Sequence, residues 1–309
     1  MRVAIIDLGT NTFNLLIVDV ESREKYKNVF QTKMAVKLGE GGIGKKLITA
    51  SAFTRGIEAL RSQRALIDKF KAEKIIAFAT SGIRSASNGK KFIDAAKKEA
   101  NIAVSIISGD REAMLIYEGV KLALDIGDAP SLILDIGGGS NEFIIADNKG
   151  IFWKKSFDIG VARLLEKFSP SDPVTEKEIE VMEGLFRETL APLFEAVKQY
   201  PVKELIGSSG SFDTFAEMIA HHFHSIEELK GKTEFVFNMD EYKSIHEQLI
   251  VSKKEERERT PGIISLRVDM IVIGTILVNF ILRELSITRM RMSSYALKQG
   301  VLAEVLKSL

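Results

Sequence analysis

LILDIGGGSNEFIIADN, residues 132–148, has a counterpart in AIIDLGTNTFNLLIVDV, residues 4–20. In each, an apolar run reaches an aspartate, passes a turn of Gly, Ser, Thr and Asn, and resumes as a second apolar run. Asp7 and Asp135 stand 128 residues apart, so the 309-residue chain holds two such units. That spacing reads as a duplicated domain. Each copy opens with a strand hairpin whose turn is too polar and glycine-rich to be core.

The pattern outward from these hairpins is α/β. Strand-like runs stand at 74–79 and 103–107, and helical periodicity fits 51–71, 89–100 and 110–125. In the second half Thr175 and Glu178 have capping-box spacing, and Pro192 is expected to kink or break the helix they start. A strand at 202–206 runs into GSSGS and a helix. The charged stretch 255–261 ends in Pro261 as a helix junction, and an apolar helix is predicted over 262–285. A last strand, ITRMRMS, and a helix over 294–309 close the chain. The expected domains are 1–125, joined by helix 294–309, and 126–293.

Composition narrows the function classes. Lys+Arg 43 against Asp+Glu 42 leaves a formal charge of +1, so no global field collects nucleic acid polymer or anionic lipid. A polyanion must be held by a local cluster. With no cysteine, disulfides, thiol nucleophiles and cysteine–zinc sites are excluded. The longest apolar tract, Met270 to Leu282, is too short to span a membrane. Met1 leads straight into a strand, so the expected location is the cytoplasm. The apolar tract suits either a core or a homodimer interface.

DIGGGSNE, 135–142, carries the chemistry. Gly137, Gly138 and Gly139, followed by Ser140, let backbone N–H groups converge on an anion without Cβ interference. Asp135 suits a divalent cation, and Glu142 suits the same cation or a water. Alone, the stretch also fits an ordinary glycine-rich turn. The duplicate at 7–13 favours the phosphate reading: Thr10, Asn11 and Thr12 offer hydroxyl and amide donors, and Asp7 stands where Asp135 does. A third turn, Gly207, Ser208 and Ser209, opens a helix whose N-terminus attracts phosphate. It equally fits a plain strand–helix loop with a serine cap.

In order along the chain, DLGTNTFNLLI (7–17), LGEGG (38–42), ATSGIRSASN (79–88), SGDREAMLIYEGV (108–120), DIGGGSNE, RVDMIVIGTIL (267–277) and SSYALKQGVL (293–302) resemble the landmarks of the exopolyphosphatase / guanosine pentaphosphate phosphohydrolase family. That family lies within the actin, sugar kinase and heat-shock chaperone ATPase superfamily. The resemblance covers nearly the whole chain, without the added C-terminal helical module of longer members. It implies two duplicated ribonuclease-H-like domains flanking a cleft. It also implies Mg²⁺, with Mn²⁺ as the alternative, held by Asp135, Glu142 and Asp7. Glu112, otherwise a helix-stabilising first-turn acid, becomes the base that activates water. Arg84, otherwise a surface arginine, becomes a phosphate ligand. The substrate is polyphosphate or guanosine pentaphosphate (pppGpp). Departures from the pattern are Asn141 where Thr is common, Ser85 where Asp is common, and Ser209 where Gly is common.

Other readings are weaker. GEGGIGKK (39–46) lacks the Ser or Thr of a P-loop and follows a hairpin rather than one strand. His221, His222 and His224 lack metal-site spacing and fit a solvated helix end. Arg267 and Asp269 read as a structural ion pair or an interdomain contact rather than as ligands. Two alternative functions stay open: an ATP-dependent small-molecule kinase of the same superfamily, and a non-catalytic alarmone- or nucleotide-binding regulator.

Overall fold

The computed structural model describes residues 1–308. The chain forms two compact units, one of Met1–Gly119 with the segment from Leu297, the other of Val120–Ala296. Both are α/β, and their sheets share one plan.

In the first unit β1 (Arg2–Leu8), β2 (Thr12–Val20) and β3 (Tyr26–Ala35) form an antiparallel meander. Helix α1 (Ala50–Lys69) follows, then β4 (Lys74–Ala79), which pairs parallel with β1. Helices α2 (Ser81–Arg84) and α3 (Gly89–Ala100) lead to β5 (Val104–Ile106), parallel to β4, and then to α4 (Gly109–Ala123). The order β3-β2-β1-β4-β5 is the ribonuclease-H-like arrangement. Alternation along β1 and β2 decides the burial. Ala4, Ile6 and Leu8 join Phe13, Leu15 and Ile17 in a core with α1 and α3 residues such as Leu60 and Phe92. Asp7 and Asn14 are cross-strand partners on the opposite face.

The second unit repeats the plan. Strands β6 (Ser131–Ile136), β7 (Asn141–Ala146) and β8 (Ile151–Phe157) form the meander, and α5 (Val161–Phe168) follows. Helices α6 (Glu176–Thr189) and α7 (Ala191–Gln199) lead to β9 (Glu204–Ser208), parallel to β6. Thr175 and Glu178 form the expected capping box, and Pro192 lies in the first turn of α7, where the missing N–H costs nothing. Then come α8 (Gly210–Phe223), β10 (Glu234–Phe237), α9 (Met239–Val251), α10 (Lys254–Arg259), α11 (Ile271–Glu284) and β11 (Arg289–Ser293). The sheet order is β10-β11-β9-β6-β7-β8, the same plan with β10 added antiparallel at one edge. The closing helix α12 (Leu297–Lys307) packs on β1 and β2 of the first unit.

The structure shortens the predicted 262–285 helix. Only Ile271–Glu284 is helical, and 261–270 forms turns. Gly262 adopts φ +90 against the Met218 backbone, which a continuous helix from that point forbids. Arg267 and Asp269 are not each other's partners: Arg267 donates to Thr214 Oγ1 at 2.6 Å and lies 3.5 Å from Asp213, whereas Asp269 pairs with Lys254 at 3.0 Å. Among the described residues, no helix is long and apolar enough to cross a membrane.

Candidate active site

In the first unit the turn after β1 is tight because Gly9 N–H donates to the Thr12 carbonyl at 3.0 Å. Val36 and Lys37 amides both donate to the Asn11 carbonyl at 2.9 Å, and Gly39 N–H reaches the Thr10 carbonyl at 3.2 Å. A peptide's C=O and N–H point in opposite directions, so the amides of Asn11 and Thr12 turn to the other side. The Thr10 side chain is buried between two glycines: a Cβ on Gly39 or on Gly82 would stand 2.7 or 2.8 Å from it. Thus three separate sequence blocks, DLGTNTF, LGEGG and ATSG, meet at Thr10. The Asp7 carboxylate accepts from the Asn14 side-chain amide at 3.0 Å.

Glu112 enters the same unit through α4. Ser108 caps that helix, its Oγ accepting from Arg111 N–H at 3.1 Å, which places Glu112 in the first turn. Glu112 is 7% exposed, and its carboxylate accepts from Arg84 Nη1 at 2.8 Å. Arg84 Nη1 also donates to the Ile107 carbonyl at 3.0 Å. The expected base and the expected phosphate ligand are therefore in direct contact. A buried carboxylate needs such a partner.

In the second unit the glycine turn is closed by Gly137 N–H to the Ser140 carbonyl at 3.1 Å. Its carbonyls are taken by the start of α5. Val161 N–H donates to Gly137 O at 2.9 Å, Ala162 and Arg163 amides donate to Gly138 O at 2.9 and 3.2 Å, and Arg163 Nε donates to Gly139 O at 3.1 Å. By the same peptide geometry the N–H groups of Gly138, Gly139 and Ser140 face away from α5. Among the described residues none of the three has an acceptor. Three amides turned to one side are an anion-binding nest.

Asp135 and Glu142 are direct partners in the β6–β7 register and share a face. Both are buried. Ser208 and Ser209 hydroxyls each donate to Asp135 Oδ2 at 2.7 Å. Ser140 and Ser156 hydroxyls donate to Glu142 Oε1 at 2.7 and 2.6 Å. Two adjacent buried carboxylates repel each other, and an oxygen-seeking divalent cation is the natural counter-charge, so the donor set fits Mg²⁺ or Mn²⁺. Among the described residues no cluster of three such ligands occurs, so water and substrate oxygens would complete the shell. Asp7 faces an amide instead, so this rung of the β1–β2 pair carries one carboxylate where the matching rung of β6–β7 carries two.

The third turn has a role the sequence did not reveal. Ser208 and Ser209 spend their hydroxyls on Asp135, and a Cβ at Gly207 would overlap the Phe212 ring. Ser209 has φ +68, the left-handed region that explains glycine as the commoner residue there. Asn141 Nδ2 donates to the Ile159 carbonyl at 2.8 Å, tying the glycine turn to the segment before α5. Gly160 and Arg163 went unnoticed in the sequence. Their signal was the small residue and lone cation right after the third strand. His221, His222 and His224 are exposed at the end of α8, and His224 meets Glu241 at 2.9 Å.

A profile of the Ppx/GppA phosphatase family matches residues 16–309, and the chain belongs to that family. The crystal structure of an exopolyphosphatase from Cytophaga hutchinsonii superposes with a TM-score of 0.97 at 40% identity, covering 100% of this chain and 99% of that one. A Ppx/GppA protein from Aquifex aeolicus gives a TM-score of 0.81 at 26% identity, over 100% of this chain and 98% of that one. A bifunctional 3-dehydroquinate synthase/phosphatase of Fusobacterium nucleatum is 38% identical over 172 residues, 53% of this chain but 26% of that protein. The chain thus spans about a quarter of that curated relative's length.

Proposed function

We propose that the protein is a metal-dependent hydrolase that removes the terminal phosphate of a phosphoanhydride chain, inorganic polyphosphate or pppGpp, as orthophosphate. The observation that carries this reading is the second-unit turn, where three amides with no acceptor among the described residues adjoin a pair of buried carboxylates. Amides suit phosphoryl oxygens, and paired carboxylates suit the cation that accompanies them. The relation to an exopolyphosphatase over the full chain supports it.

In this mechanism the amides of Gly138, Gly139 and Ser140 bind the terminal phosphoryl oxygens. The first-unit turn, with Thr10, Asn11 and Thr12, and the Arg84 guanidinium are the donors that unit offers a phosphate. Glu112 accepts a proton from the attacking water as its oxygen bonds to phosphorus. The bond from phosphorus to the bridging oxygen breaks, and the shortened chain leaves with that electron pair. Arg84 holds the Glu112 carboxylate in place at 2.8 Å. Asp135 and Glu142 would hold the cation, which when bound neutralises charge on the phosphate oxygens.

The test is orthophosphate release from long-chain polyphosphate and from pppGpp with Mg²⁺. Glu112→Gln should lower kcat by about 10²–10⁴-fold, the usual contribution of a general base. Full activity in that variant removes Glu112 from the role. No release from either substrate by the unmodified protein removes the reading itself.

A further inference from the structure

The three outward amides are only as well aimed as their peptide planes. Every carbonyl on the reverse side of those planes is held by one short segment, Ile159–Arg163. Val161 N–H fixes Gly137 O at 2.9 Å, and Ala162 N–H fixes Gly138 O at 2.9 Å. The last plane, which carries the Ser140 N–H, is fixed by a side chain: Arg163 Nε to Gly139 O at 3.1 Å. The segment is itself anchored, because Asn141 Nδ2 holds the Ile159 carbonyl at 2.8 Å. Contact is close enough to demand glycine: a Cβ on Gly160 would lie 2.4 Å from Gly138 C and 2.5 Å from its oxygen. The Arg163 side chain is 15% exposed and its guanidinium lies 3.8 Å from Asp158, so it is oriented as well as near.

We propose that Ile159–Arg163 is an aiming strap for the anion nest and that Arg163 is a positioning residue for phosphate binding. It acts through the Gly139–Ser140 peptide and needs no contact with the phosphate. A nest amide meets the phosphoryl oxygens in the ground state and in the transition state alike. Loosening the plane therefore weakens binding more than it slows chemistry. Glu112 should show the opposite split, a loss in kcat.

This inference rests on the phosphate-binding reading above, and two variants test it. Arg163→Lys keeps the cation and the alkyl stem but removes the Nε–H. Val161→Pro deletes one amide. Val161 is the first residue of α5, where proline fits, and the preceding Gly160 has φ −63 and ψ 153, as a residue before proline requires. Binding is measured with tripolyphosphate in metal-free buffer by calorimetry, and the Gly138, Gly139 and Ser140 amide resonances are followed during the titration. Each folded variant should bind about tenfold more weakly, with the three amide responses reduced, and KM should rise about tenfold with kcat within about threefold. Unchanged tripolyphosphate affinity in both variants, or a kcat loss at unchanged affinity, overturns the inference. Absence of turnover in the unmodified protein sinks only the hydrolase reading, since the binding arm needs no turnover.

Discussion

The two hairpin turns are built on one plan and equipped differently. Asp7 and Asp135 end equivalent strands, and each has one antiparallel and one parallel neighbour. For Asp7 these are Asn14 and Phe78, for Asp135 they are Glu142 and Ser208. An amide and an aromatic ring leave the first aspartate hydrogen-bonded by a neutral group. A second carboxylate and a hydroxyl make the other half of a buried anionic pair. The backbone braces differ too. In the first unit residues 36–39 reach the turn carbonyls by main chain alone, and Arg55 supports that brace from behind, through the Val36 and Lys37 carbonyls at 3.0 and 3.1 Å. In the second unit an arginine reaches the turn itself. A duplicated fold conserves where a turn sits, whereas side chains one rung away decide whether it attracts an anion alone or a cation as well.

The sharpest way to break this contrast is to neutralise each aspartate. Asp135→Asn should lower Mg²⁺-dependent phosphate release by about 10²-fold or more, on the scale of lost charge stabilisation at a reacting phosphate. Asp7→Asn, read in the same assay, should cost several-fold less. Equal losses would mean the two aspartates share one task. A second comparison concerns packing. Gly160→Ala drives a methyl into backbone, whereas Gly39→Ala meets side chains only, the Thr10 methyl at 2.7 Å and Ile43 at 3.2 Å. Urea unfolding should show about 3 kcal/mol lost at 160 and about 1 kcal/mol at 39, the range for overpacking. A larger loss at 39 would reverse the ranking of the two braces.

The smallest effect lies away from both turns. Glu178 has its pKa lowered to about 2, first by the Ser171 hydroxyl and then by the Thr175 and Ser171 amides. A carboxylate with a depressed folded-state pKa stabilises the fold above its ordinary value of 4.5 and loses that contribution as pH falls toward 2. Glu178→Gln should therefore flatten the fall in Tm between those two pH values. An unchanged slope would show the α6 cap to be irrelevant to acid stability.

Much of this architecture was legible beforehand, for reasons that differ by region. The repeat exposed both hairpins because strands buried on one or both faces must be apolar and their turns must not. Asp7 and Asp135 stood out because each ends an apolar run in front of a polar turn. Strands β3, β8 and β10 leave little trace in the sequence: they are edge strands, half solvated, with mixed residues that carry a weak period. The start of α11 was misplaced because an apolar stretch looks the same in a helix and in a buried turn. At the site, Arg84 and Glu112 were named singly, and their contact depended on β4 and α4 meeting through β5. The serine pair on Asp135 was invisible as a pair, since only the β6–β9 register joins residues 73 and 74 positions apart.

Helix α12 gives the first unit an unusual birth order. It packs against β1 and β2, a Cβ at its Gly300 would overlap the Leu115 carbonyl, and its Lys307 pairs with Glu118 at 2.6 Å. A ribosome delivers those residues only after all of Val120–Ala296 has been made. The earlier-synthesised half must then wait for α12 before its sheet is packed as in the folded unit, while the later-synthesised half gathers its own core.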